Sequence, residues 1–153
     1  VSAFRDELPN LFPDDQRARR LAKQTITLSE FLARADLPRL PRIDGRALVQ
    51  IHCHHHAVLD EGAEASVLNR LGMSYEIMKS GCCGMAGSFG FERGKYDLSR
   101  AMAERAMAPQ IRAAAADVQI IADGFSCRAQ IERFTGRTTA HLAEVLAGAF
   151  DGA

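Results

Sequence analysis

The sequence has 153 residues, nineteen Lys and Arg against nineteen Asp and Glu, and a pI near 7.1. A nucleic-acid binder carries a basic footprint that displaces counterions, and a net charge of zero offers none as a whole; nor does any run approach the ~18 apolar residues of a membrane-spanning helix. A mean hydropathy of -0.12 with 47% hydrophobic residues is the composition of a globular domain, long enough to hold a core without disulfides, so the four cysteines need another explanation.

The chain begins at Val1 without a methionine or a secretory leader, which reads as an excised piece of something longer. Residues 1–45 read as a helical lead-in, or linker from an upstream domain: Leu8, Leu11 and Phe12 lie around Pro9 and Pro13, and Asp14 and Asp15 are helix-start signals. Ala18, Leu21, Ala22, Leu28, Phe31 and Leu32 share one face of a predicted helix, with Arg17, Arg19, Arg20 and Lys23 opposite and Pro38 and Pro41 as its end. The basic residues fit a solvated face, the commoner case, better than a contact patch.

From residue 46 to 153 the pattern becomes strand, loop, helix, repeated. Residues 47–51 predict a strand, followed by a helix over 57–71 with Val58, Ala65, Leu68 and Leu71 on one side and Gly72 as its stop. A second strand is predicted over 75–78, then a glycine-rich loop over 81–94 and a helix from Tyr96 interrupted at Pro109. Residues 118–122 form the third strand, bounded by Asp117 and by Asp123-Gly124; a short helix over 126–134 and a last one from His141 to Leu146 complete the chain. Strands separated by helices of this length imply an α/β fold: a small parallel sheet with βαβ crossovers and helices on both faces.

Cys53 falls just past the first strand, Cys82 and Cys83 just past the second, and Cys127 a few residues past the third. In a parallel sheet those loops share one edge, where ligands bind, and each leads toward a helix N-terminus that favours thiolates or an anionic cluster. Taken singly, a free cysteine is more often a small core residue. Two neighbours between Gly81 and Gly84 are harder to bury together, and those glycines imply unusual backbone angles or close approach to something bound. A disulfide framework fits poorly, while a redox-active dithiol remains open, though no Cys-x-x-Cys occurs.

His52, His54, His55 and His56 surround Cys53, and His141 opens the last helix. Thiolate with imidazole suits zinc or an iron-sulfur centre, although the spacing matches no zinc-finger template and a histidine beside such a site more often hydrogen-bonds a ligand than serves as one. Gly81, Gly84, Gly87, Gly90 and Gly94 match neither a dinucleotide fingerprint nor a P-loop. They read either as a mobile loop or as exposed N–H groups approaching cluster sulfurs.

The runs His52-Cys53-His54, Gly81-Cys82-Cys83-Gly84-Met85-Ala86-Gly87-Ser88-Phe89-Gly90 and Asp123-Gly124-Phe125-Ser126-Cys127-Arg128 together resemble the cysteine-rich CCG domain. That domain occurs in heterodisulfide reductases, in the iron-sulfur component of glycolate oxidase, and at the C-terminus of FAD-linked oxidases of the D-lactate dehydrogenase type. The last looks most similar, since Phe4-Arg5-Asp6-Glu7-Leu8 and His141 to Leu146 also match.

The resemblance implies a 4Fe-4S cluster, noncubane in some relatives, held by Cys53, Cys82, Cys83 and Cys127. Gly81 and Gly84 would shape the site, and His52, His54, Arg128 and His141 would offset cluster charge or hydrogen-bond its sulfurs. It further implies upstream FAD and ferredoxin-type domains in the same chain, oxidation of a 2-hydroxy acid such as D-lactate or glycolate, and an electron acceptor that the sequence does not identify. The expected location is cytoplasmic, with or without peripheral attachment to the inner face of the membrane. The family pattern ends in Cys-x-x-Cys, whereas Gln130 stands at its second position here, and a further cysteine is expected upstream of Val1. No catalytic residue is assigned to this chain, whose other readings are a structural zinc site, a metal-free thiol domain for partner contact, and a thiol-disulfide redox module.

Overall fold

The computed structural model describes residues 1–35, 40–59 and 62–151, with Asp151 described by its backbone alone. Its centre is a sheet of three parallel strands, β1 (Arg46–Gln50), β2 (Ser74–Ile77) and β3 (Gln119–Ala122), in the order β2-β1-β3. Ala47 lies opposite Tyr75 on one side and Gln119 on the other. This is the α/β architecture the periodicity predicts.

Alternation along the central strand builds two cores. Ala47 and Val49, with Ile121, face α5 (Gly62–Leu71) and α9 (Leu142–Asp151), where Val67, Leu68, Leu71, Leu142, Val145 and Leu146 are buried. Leu48, with Ile120 and Ala122, faces α6 (Tyr96–Arg105), α7 (Met107–Ala113) and α8 (Phe125–Thr135) through Ala103, Met107, Ile111 and Ile131. The helix after β1 thus packs on one face and the helix after β3 on the other. Adjacent strands whose connections leave toward opposite faces open a crevice at their carboxyl ends, here between β1 and β3.

Three helical expectations are corrected. The predicted helix over 18–32 is two, α2 (Gln16–Gln24) and α3 (Leu28–Arg34), following a π-helical turn over Ala3–Glu7 and α1 (Leu8–Leu11). Asp15 caps α2 by accepting the Arg17 N–H, and the β-branched run Thr25-Ile26-Thr27 interrupts it before Thr27 and Glu30 form a capping box that starts α3. Of the proposed apolar face only Ala18 and Leu32 are buried, while Leu21, Leu28 and Phe31 are exposed. Pro38 lies outside the described residues.

The helix expected over 57–71 is α4 (Cys53–Val58) and α5, with residues 60 and 61 outside the described set; Gly72, at φ +74°, closes α5. The break after α6 falls at Ala106, not Pro109. Pro109 sits in the first turn of α7, where its missing N–H has no helical partner to lose.

The lead-in is held together by charge, and it meets the body where the Arg70 guanidinium of α5 donates to the Leu32 carbonyl. Glu30, 2% exposed, receives Arg5 at 2.5 and 2.7 Å. Burial pushes its carboxyl up, but the hydrogen bonds from Arg5 and the Thr27 N–H outweigh that and hold it below the ordinary range. Among the described residues no helix is long and apolar enough to cross a membrane.

Candidate metal centre

Each cysteine is placed by the end of a strand. Cys53 begins α4 three residues after β1 and is exposed; Cys82 and Cys83 follow β2 on an irregular loop; Cys127 is the third residue of α8, after β3. Gln50, buried at the end of β1, fixes this edge by bonding through its amide to the Ser80 hydroxyl and to the Ile51 carbonyl. Cys83 and Cys127 are 2% and 1% exposed within the second core, so the rim runs from dry sulfur to wet sulfur.

The four thiols influence one another's ionisation: Cys83 and Cys127 act as one pair, Cys53 and Cys82 as another, and the charge of Cys53, Cys82 or Cys83 is felt at Cys127 as well. The Cys127 thiol, followed by the backbone N–H groups of Met85 and Ala86, outweighs burial and lowers Cys83 to about 6. Cys127 is driven up by that same hydrogen bond, then by burial, so the pair ionises by giving up one proton and sharing the other. Cys53 is raised by burial and by the charge of Cys82.

The glycine loop is a backbone donor array. Gly84 at φ +91°, Ala86 at +42° and Gly87 at +68° turn the chain at the cysteine pair: the Gly84 N–H donates to Cys82 Sγ at 3.3 Å, and the N–H groups of Met85 and Ala86 favour the ionised form of Cys83. Only glycine fits position 84, where a Cβ would stand 2.1 Å from the Ser99 carbonyl oxygen. A cavity of about 370 Å³ beside Cys82 is lined by Gly81, Met102, Arg105 and Ala106, giving room and a guanidinium at the exposed end of the group.

The polar residues singled out in the sequence sit around this centre with other partners. His52 packs on Gly124, whose missing Cβ would come 2.7 Å from the imidazole Cδ2, and burial lowers its basicity. His54 Nε2 lies 3.1 Å from Asp6 Oδ2, and its backbone N–H bonds to Cys53. His141 Nδ1 accepts the Ala143 N–H at 3.0 Å, which places the proton of the neutral ring on Nε2. Arg128 reaches Glu144 at 3.3 Å.

His52, His55, Asp123, Gly124 and His141 line a second cavity, of about 310 Å³, in the crevice between β1 and β3. A wider one, of about 520 Å³, lies at the opposite, amino end of the strands between Arg46 and Val118 and contains neither thiol nor imidazole in its lining. Sequence reading missed Ser99 and Asp123, the latter accepting the Leu142 N–H at 2.8 Å to start α9. A buried serine mid-helix carries no local signal; an Asp after a strand and before a helix does.

Fold and site together define a cysteine-bearing rim along the carboxyl edge of a small doubly wound α/β domain, beside the crevice at its switch point. Residues 51–132, more than half of the sequence, match the cysteine-rich domain family CCG, and the chain belongs to that family. D-2-hydroxyglutarate dehydrogenase of Pseudomonas putida (strain KT2440) is 31% identical over 108 residues, covering 69% of this chain and 10% of the relative. The proteins of that name from Pantoea ananatis and Escherichia coli K12 are 31% and 30% identical over 62% and 54% of the chain. The chain spans about a tenth of the length of these curated relatives. No solved structure matches it significantly.

Proposed function

We propose that this chain is the iron-sulfur electron-transfer domain of a larger FAD-dependent oxidoreductase acting on a 2-hydroxy acid, with residues 46–153 as the module and 1–45 as its lead-in. The observation that carries the reading is the arrival of four thiols from three strand ends at one edge of the sheet, each biasing the ionisation of another, beside a loop whose Gly84 N–H donates to Cys82. That donor set fits an anionic cluster: Cys53, Cys82, Cys83 and Cys127 would hold it, and the N–H groups of Gly84, Met85 and Ala86 offset charge on its sulfurs. When bound, a 4Fe-4S cluster supplies a one-electron carrier.

The chain's own residues bind, dehydrate and expose. Cys83 and Cys127 sit where water is excluded, while Cys53 and Cys82 lie toward solvent, the side from which a donor or acceptor domain would approach. A single zinc ion suits the sulfurs less well. Zinc needs thiolates within about 4 Å of one another, and among the described residues the metal-capable group with all donor atoms within 4.8 Å is Asp6, Glu7 and His54, not three of the cysteines. The names of the relatives favour D-2-hydroxyglutarate over D-lactate or glycolate as the substrate of the whole protein, and FAD would be carried elsewhere in that longer chain.

Anaerobic reconstitution with iron and sulfide, followed by metal and acid-labile sulfide analysis, tests this reading. Iron and sulfide in equal amounts, near about four per chain, are expected; one zinc without sulfide would overturn it. The pairing of Cys83 with Cys127 favours a second reading, thiol-disulfide exchange, which predicts two fewer alkylated thiols per chain after oxidation when labelling is done in denaturant.

A further inference from the structure

Gln130 has only 2% of its surface exposed and lies one helical turn beyond Cys127 on α8. Its side-chain Nε2 donates to the Cys83 carbonyl at 3.0 Å and to Ser99 Oγ at 2.9 Å. A carbonyl oxygen can only accept, so the nitrogen end of the amide must face the loop. Ser99, itself 2% exposed on α6, is the point on which the glycine loop closes: its carbonyl blocks a Cβ at Gly84, and its hydroxyl would stand 2.9 Å from one at Gly90. Around these polar atoms the layer is apolar, with Cys83, Met85, Ala103 and Ile131.

The Cys83 carbonyl and the Gly84 N–H belong to one peptide group. No cis peptide bond occurs among the described residues, so the two point in opposite directions from one rigid plane. Gln130 grips the oxygen edge, and the N–H edge meets Cys82 Sγ at 3.3 Å. We propose that Gln130 is a positioning residue: it locks the Cys83–Gly84 peptide plane so that its far edge is presented to the Cys82 sulfur. An apolar side chain of the same volume would fill the layer but leave that plane free to tilt. The inference rests on the proposed cluster for its consequence, a raised reduction potential from the N–H donor, and on hydrogen bonding alone for its geometry.

The test compares the 153-residue chain with Gln130→Met, which keeps the volume without the donor, and with Gln130→Asn, which keeps the amide but shortens its reach. Amide exchange followed by NMR in the metal-free chain should be about tenfold faster or more at Gly84 in both variants, with β1 and β3 amides unchanged. After reconstitution, both variants should show a lower reduction potential and altered low-temperature EPR g-values. Unchanged Gly84 exchange and an unchanged EPR spectrum in a folded variant would overturn the proposal. Should neither variant fold, the wild type decides: protected Gln130 side-chain amide protons support the lock, and exchange at the rate of a free amide contradicts it. Failure of the wild type to take up iron and sulfide would remove the cluster reading, while the Gly84 exchange still decides whether the lock exists.

Discussion

Individual side chains divide into those proposed to hold the centre and those that hold the fold. Replacing Cys53, Cys82, Cys83 or Cys127 singly by serine should cut reconstituted iron to below about half of the wild-type content while leaving the circular dichroism spectrum intact, because each variant keeps its backbone contacts and loses one thiolate. Wild-type iron content in all four variants would show that the thiols are core residues. Glu64 tests the fold instead. It is 2% exposed in the first turn of α5, and burial, followed by the charge of Asp123, raises its carboxyl from 4.5 to about 7. A carboxyl raised on folding contributes stability that is fully present below about 4.5 and is lost as the pH rises through about 7. Urea unfolding of Glu64→Gln should lack that decline, worth on the order of 3 kcal/mol, and the variant should be at least as stable as wild type at pH 8. Parallel profiles for the two proteins would contradict the assignment.

Among the elements, the glycine loop shows most directly how backbone geometry serves the site. Gly84→Ala places a Cβ against the Ser99 carbonyl in a left-handed conformation and should cost several kcal/mol, on the order of 3 or more, and abolish cluster uptake. Gly87→Ala meets nothing within 4 Å and pays only the left-handed backbone penalty, about 1 kcal/mol. Equal losses in chemical denaturation would mean that packing on α6 does not decide the loop. The sequence pointed to this loop through its density of glycines, but not to which glycine is indispensable, since the atom that excludes a side chain at 84 comes from Ser99, fifteen positions away. The strands were legible as short apolar runs, and their common carboxyl edge followed from the parallel arrangement. The break between α2 and α3 was not, because the spacing of Ala18, Leu21, Leu28 and Leu32 continues across Thr25-Ile26-Thr27, where side-chain capping overrides periodicity.

At the scale of the whole molecule, β2-β1-β3 order puts a crevice between β1 and β3, and the residues following both strands line it: His52 after one, Asp123 and Gly124 after the other. That placement was readable from Cys53, Cys82, Cys83 and Cys127 at three strand ends. What was not readable is which protein groups Arg128, His54 and His141 meet: each has a carboxylate or a backbone N–H brought in by packing of the lead-in or α9. In the proposed function these four thiols carry electrons through a bound cluster rather than through their own oxidation. A redox titration of the anaerobically reconstituted chain, followed by low-temperature EPR, separates the two. The cluster predicts a paramagnetic signal that appears on reduction along a one-electron curve, with a slope of about 59 mV per decade. A diamagnetic protein titrating along a two-electron curve, about 30 mV per decade, would contradict it.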